Sequence, residues 1–188
     1  MPRGSKKVKM MRKVSVVLAL MALGFLLQAA PIPRPAPTFT ILEPSGKQTT
    51  IASLKGKVVV LQFLYTTCPH CQETAVWLSR LDSEMKAKGV AVYGVAFNPE
   101  VNTKDAAKNA VLTKGFDSYA KFPVGMAPAT EVERFLGFSV MDHYLVPQMA
   151  VIDKKGMIRA QTSVNPKPGE VIQEPVLRNV VAKLLAEK

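Results

Sequence analysis

The chain has 188 residues, with 25 basic against 14 acidic side chains, a formal net charge of +11, and two cysteines. Six of the basic residues (Arg3, Lys6, Lys7, Lys9, Arg12 and Lys13) crowd the N-terminus, and setting them aside leaves nineteen against fourteen, a net of +5. That remainder is thinly spread with no Arg/Lys cluster, which argues for a solvated basic surface and against nucleic acid as a partner.

Behind the basic segment, Val14 to Ala30 carries no charge and Val14 to Leu27 is filled with Leu, Val, Met and Phe. This is the n-region and h-region of an export signal. The apolar core is shorter than the roughly 20 residues of a membrane helix. Leu27-Gln28-Ala29 and Gln28-Ala29-Ala30 are imperfect cleavage sites, and no cysteine nearby could accept a lipid. Residues 1–30 therefore read as a signal peptide, with an uncleaved membrane anchor as the alternative. Export implies a periplasmic or extracytoplasmic setting, where disulfides persist.

Four prolines between Pro31 and Pro37 favour an extended polyproline linker. Residues 38–188 are long enough for one domain with a buried core. Thr38 to Leu42 and Thr49 to Ile51 flank the turn signal Pro44-Ser45-Gly46-Lys47 and predict a leading hairpin. Lys57 to Tyr65 is a nearly continuous apolar, β-branched run, as a strand covered on both faces requires.

Thr74, Leu78, Leu81 and Met85 then recur at helical spacing and stop before Gly89, which predicts a helix with a glycine C-cap. Val90 to Phe97 reads as a second buried strand, Thr103 to Lys114 as a helix, and Phe122 to Met126 as a third strand. Thr130 and Glu133 match a capping box for a short helix reaching Leu136. Gln148 to Asp153 and Met157 to Gln161 flank a turn and predict an antiparallel hairpin. Leu177, Val180, Val181, Leu184 and Leu185 mark a final helix with Pro175 in its first turn. Alternating strands and helices closed by a hairpin and helix give an α/β three-layer sandwich.

Both cysteines fall in one C-x-x-C motif, Cys68-Pro69-His70-Cys71, where a strand becomes a helix. Cys68 would sit at the helix N-terminus, where unpaired N–H groups and the helix dipole favour a thiolate. Cys71, one turn on, could attack a mixed disulfide on Cys68 while being better shielded from solvent. Pro69 suits the first helical position because its missing N–H would have no partner there. His70 has two readings: a protonated imidazole that stabilises the Cys68 thiolate, or an exposed residue that fills the turn. Structural zinc is disfavoured, because only Cys68, Cys71, His70 and His143 are available as Cys/His ligands and His70 is wedged inside the motif.

With these residues the chain resembles the TlpA/ResA group of thioredoxin-like thiol-disulfide oxidoreductases. The similarity runs from about Thr38 through the strand starting at Gly56-Lys57, the Cys68–Cys71 motif, and Val146-Pro147 before the Ala150 to Asp153 strand. It implies a thioredoxin-like α/β/α sandwich with an N-terminal β-hairpin extension, and an enzyme exchanging its Cys68–Cys71 disulfide with cysteines of exported proteins. A membrane or periplasmic redox partner would complete the cycle, and no prosthetic group is required. It also implies that Pro147 is the cis-proline facing the disulfide.

Other positions depart from relatives. The tetrapeptide is similar to that of DsbA-type oxidases. Six residues before the first cysteine, thioredoxin and DsbA carry a buried acid, whereas this chain has Gln62, which cannot be a general base. ResA-like members carry a glutamate three residues after the second cysteine; here that position is Thr74, and the adjacent Glu73 reads either as its substitute or as a solvated helix charge.

A second reading has different chemistry. The segment Phe138 to Val146, with Met141, Asp142, His143 and Tyr144, resembles the Asp-His stretch of Sco-type copper chaperones, which share the fold. Cys68, Cys71 and His143 would then form a thiolate–imidazole copper site. The Sco spacing is C-x-x-x-C, however, and this chain is C-x-x-C. A peroxiredoxin is weaker still, since Tyr65 stands where that family has threonine. Met126, Met141, Met149 and Met157 read as core fillers and Trp77 as packing.

Overall fold

The computed structural model describes residues 31–101, 104–139, 142, 145–163 and 172–187. The expected leader, residues 1–30, lies outside the described residues, as do His143, Met141 and Tyr144 of the copper reading.

Among the described residues, eight strands form one sheet: β1 (Arg34–Pro35), β2 (Thr40–Leu42), β3 (Gln48–Thr50), β4 (Val58–Leu64), β5 (Val90–Ala96), β6 (Val124–Met126), β7 (Gln148–Ile152) and β8 (Met157–Gln161). Their spatial order is β1-β8-β7-β4-β5-β6-β2-β3. β4 runs parallel to β5 and antiparallel to β7, so the apolar run Val58–Leu64 lies inside the sheet. All seven residues of β4 are buried. For a branched aliphatic side chain, full burial is worth about 1.5–3 kcal/mol over exposure.

Strand alternation sorts β4 between two cores. Val58, Val60 and Leu64 pack with Cys71, Ala75 and Leu78 of α1 (Pro69–Met85) and with Leu177, Val181 and Leu184 of α4 (Glu174–Ala186). On the other face, Val59, Leu61 and Phe63 pack with Phe39 and with Val132 and Phe135 of α3 (Ala129–Leu136). The rings of Phe39, Phe63 and Phe135 meet edge-on or tilted at centroid distances of 4.9 to 5.8 Å. This is the three-layer α/β/α arrangement expected.

The leading hairpin pairs Thr40–Leu42 with Gln48–Thr50, and Ile51, expected as extended chain, instead opens a 3-10 turn over Ile51–Leu54. The α1 helix continues through a 3-10 turn to Gly89, whose φ of +95° is the left-handed stop that only glycine adopts freely. The proline-rich segment is extended, and Arg34 and Pro35 pair with β8 while Ala36 N–H donates to Gly156 O. Arg34 Nη2 also donates to Phe135 O and Gln161 Oε1.

Two helix starts differ from expectation. The α2 helix (Ala106–Lys114) begins after its cap Asp105, whose carboxylate accepts the Lys108 N–H at 2.9 Å; Thr103, where the expected helix started, lies outside the described residues. The α3 helix is entered from Pro128 without a side-chain cap, so Thr130 and Glu133 lie inside the helix and do not form the capping box. Pro128 sets the turn two residues upstream of the threonine.

Candidate active site

The buried β4 strand ends at Leu64, and three residues later the chain enters α1 with Cys68 as N-cap (φ −80°, ψ 119°) and Pro69 as the first helical residue. The turn between them is tied down at Thr66. Its N–H donates to Asn98 Oδ1 at 3.0 Å, its hydroxyl oxygen accepts from Asn98 Nδ2 at 3.2 Å, and its carbonyl accepts from Gln72 Nε2 at 3.1 Å. Cys68 N–H donates to Tyr65 O, and Cys68 O accepts the Gln72 N–H, both at 3.1 Å. The cysteine backbone is thus fixed from both sides.

The two thiols, both free, have opposite environments. Cys68 is half-buried, with Sγ 3.8 Å from Val146 O. Cys71 is fully buried on the inner face of α1. Burial pushes the Cys71 thiol well above the usual thiol range; a side-chain hydrogen bond with Cys68 adds to the rise, and a backbone hydrogen bond from Tyr65 works against it. One sulfur is reachable, and the other holds its proton in the interior.

Facing them, the Val146–Pro147 peptide is cis and Pro147 is buried. Gln148 Nε2 donates to Leu145 O at 2.6 Å, which pins the approach to that turn. Beneath Cys71, Gln62 is completely buried and its Nε2 donates to Cys71 O at 2.8 Å. His70 projects into solvent from the first turn of α1, with Nδ1 3.9 Å from Glu73 Oε2 and both side chains about 80% exposed. Cys68, Pro69, Cys71, Pro147 and the base of His70 therefore converge on one end of the sheet. His143 lies outside the described residues, and among those described no group of three or more His, Cys, Asp or Glu could hold a metal ion.

Beside the cysteines a groove of about 360 Å³ runs between α1, the Leu145–Pro147 turn and the start of α4. Trp77, Leu145, Val146 and Ile172 supply its apolar lining, with Glu73 and Glu174 on it as well. Trp77 reads from sequence as packing, yet it faces this groove. The signal that could have placed it there is spacing: His70, Thr74 and Trp77 are four and three residues apart, one stripe of α1 that starts inside the motif. Asn98 and Thr66 carry no such signal, because the residues lie 32 apart in sequence.

A family model described as Redoxin matches residues 33–181. The chain belongs to the redoxin family. Thiol-disulfide oxidoreductase ResA of Bacillus cereus is 31% identical over 163 residues, covering 81% of this chain and 87% of that protein. The thiol:disulfide interchange protein DsbE of Pseudomonas aeruginosa is 27% identical over 135 residues, covering 71% and 67%. Among solved structures, a thioredoxin family thiol:disulfide interchange protein from Chlorobium tepidum TLS superposes with a TM-score of 0.62 at 25% identity, covering 84% of this chain and 100% of that one. A putative DsbE from Chlorobium tepidum gives a TM-score of 0.60, also at 25% identity, over 81% and 96%. The redoxin is thus a thioredoxin-like, TlpA/ResA-like protein. Its chemistry is thiol–disulfide exchange, and it is an enzyme of the oxidoreductase class.

Proposed function

We propose that this redoxin is an exported thiol–disulfide oxidoreductase in which Cys68 attacks and Cys71 resolves, acting on cysteine-containing exported proteins. The observation that carries the assignment is the asymmetry of the pair: Cys68 caps the helix half-exposed, while Cys71 is fully buried one turn on. A disulfide in a partner would be attacked by the Cys68 thiolate, giving a mixed disulfide, and Cys71 would then displace the partner's sulfur. The oxidised form runs the same steps backwards.

The groove supports a polypeptide partner. An extended segment bearing the target cysteine can lie against Val146 and Pro147, with the Val146 carbonyl available to its backbone and the apolar lining around Trp77 available to a flanking side chain. The basic and apolar leader supports export to a periplasmic or extracytoplasmic compartment, and the proline-rich segment expected as a linker joins the sheet through Arg34 and Pro35. The mature chain is either free or tethered by residues 1–30.

The test is mixed-disulfide trapping. Cys71→Ser should accumulate covalent adducts with partner proteins that reductant releases, and Cys68→Ser should form none and lose turnover. Full exchange activity in both variants would remove the assignment.

A further inference from the structure

Gln62 occupies the interior directly beneath the resolving thiol, on the same face of β4 as Val58, Val60 and Leu64. Its amide orientation is set by chemistry: only the NH2 end can donate to the Cys71 carbonyl, 2.8 Å away. That leaves Oε1, which is buried and has no hydrogen-bond partner. An orphaned buried acceptor costs about 1–3 kcal/mol, so its retention next to a reacting group calls for a function.

Among the described residues, the other elements around Cys71 bring no base. At this level β5 presents Gly94 and β7 presents Met149, each opposite Gln62 in register, and α4 packs Leu177 and Val181 into the same core. On α1, His70 and Glu73 are turned to solvent. Cys68 is the titratable group whose charge reaches Cys71. A proton leaving Cys71 therefore needs a carrier held by a neutral group.

We propose that Gln62 is the positioning residue for proton transfer at Cys71: its Nε2 holds the Cys71 carbonyl, and its Oε1 accepts a hydrogen bond from a water that carries the thiol proton. The inference rests on Cys68 being the attacking thiol. In the resolving step the Cys71 S–H bond breaks and its proton passes to that water. The sulfur's electron pair forms the bond to Cys68, the bond from Cys68 to the partner's sulfur breaks, and the departing thiolate takes up a proton. A water with one hydrogen on Oε1 turns the other toward the sulfur and stabilises the thiolate.

Rapid mixing of the reduced full chain with oxidised glutathione, quenched in acid and read by mass spectrometry, times both attack by Cys68 and release of glutathione by Cys71. Gln62→Leu removes both amide functions and is expected to lower the ratio of the release rate to the attack rate at least about tenfold near neutral pH, less than the roughly 10²–10⁴-fold of a full general acid or base because the amide only holds the water. Gln62→Glu keeps the acceptor and loses the donor. Above the pKa of the new carboxyl it should release glutathione at least as fast as the unaltered chain, and its rate–pH profile should gain an inflection. A Leu variant with an unchanged ratio would overturn the proposal. So would a Glu variant slowed as much as the Leu variant at every pH, because the donor to the Cys71 carbonyl would then be the working atom. Gln62→Met gives the same comparison if the Leu variant does not fold. A missing glutathione adduct on Cys68 of the unaltered chain would instead overturn the attacking-thiol assignment, and this inference with it.

Discussion

Asn98 and Thr66 exchange two hydrogen bonds, with Asn98 Oδ1 accepting the Thr66 N–H and Asn98 Nδ2 donating to the Thr66 hydroxyl. Both residues are buried, and the pair joins the chain just past β5 to the turn that delivers Cys68. Asn98→Leu leaves the Thr66 N–H without its partner, a loss of about 1–3 kcal/mol. Urea unfolding of the variant should show that drop, together with slower exchange because the helix N-cap loses its anchor. Unchanged stability and turnover would mean that the turn is held by other contacts.

The contrast between the thiols predicts selective alkylation. With limiting iodoacetamide at neutral pH, the reduced protein should be modified at Cys68 with Cys71 untouched until the fold is opened by denaturant. Peptide mapping reads both sites in one experiment. Equal labelling of the native protein would contradict the burial of Cys71.

How much of this was legible in the sequence depends on the range of the interaction. The β4 strand, α1 and the glycine stop at Gly89 follow from local periodicity and end signals, and the structure has them within a residue or two. The placement of the cysteines at a strand-to-helix junction follows from the same signals. The start of α3 was misread because the capping-box pattern is satisfied by residue type alone, while Pro128 decides where the helix begins. The Asn98–Thr66 link and the groove around Trp77 were not legible, since each is made by segments brought together only when β4, β5 and β7 pair.

Trp77 is half-buried and lines the groove beside the cysteines, so its effect should depend on substrate size. Trp77→Ala removes apolar contact available to a polypeptide and nothing that a small disulfide needs. Steady-state kinetics should show a KM raised severalfold for a protein substrate such as insulin, with little change for a glutathione-sized disulfide. Equal losses on both substrates would place Trp77 in the structural core instead.

Gly125 in β6 offers a test of the sheet edge. A Cβ there would lie 2.5 Å from Ile41 Cγ2 and 2.7 Å from the Leu42 carbonyl oxygen of β2, and backbone cannot swing aside as a side-chain end can. Gly125→Ala should therefore destabilise the protein by about 1–3 kcal/mol, the usual cost of overpacking, or open the β2–β6 pairing. Urea midpoints and protection of the Leu42 and Met126 amides from hydrogen exchange would report it. A variant as stable as the parent would show that β2 can move away without cost.

The buried Cys71 thiol also makes the reduced protein sensitive to alkali. In the unfolded chain a cysteine loses its proton near pH ~8.5, whereas in the fold burial holds the Cys71 proton to higher pH. Between those values the folded state binds more protons than the unfolded one, so unfolding free energy falls as pH rises, by up to about 1.4 kcal/mol per unit. The contribution is fully present below pH ~8.5, where both states keep the proton. Urea midpoints of the protein kept reduced should therefore fall more steeply between pH 8 and 10 than those of Cys71→Ala, which lacks the titrating group and supplies the background from every other residue. Parallel slopes in the two proteins would mean that Cys71 ionises in the fold as easily as in the open chain, and the division of labour between the two thiols would lose its electrostatic basis.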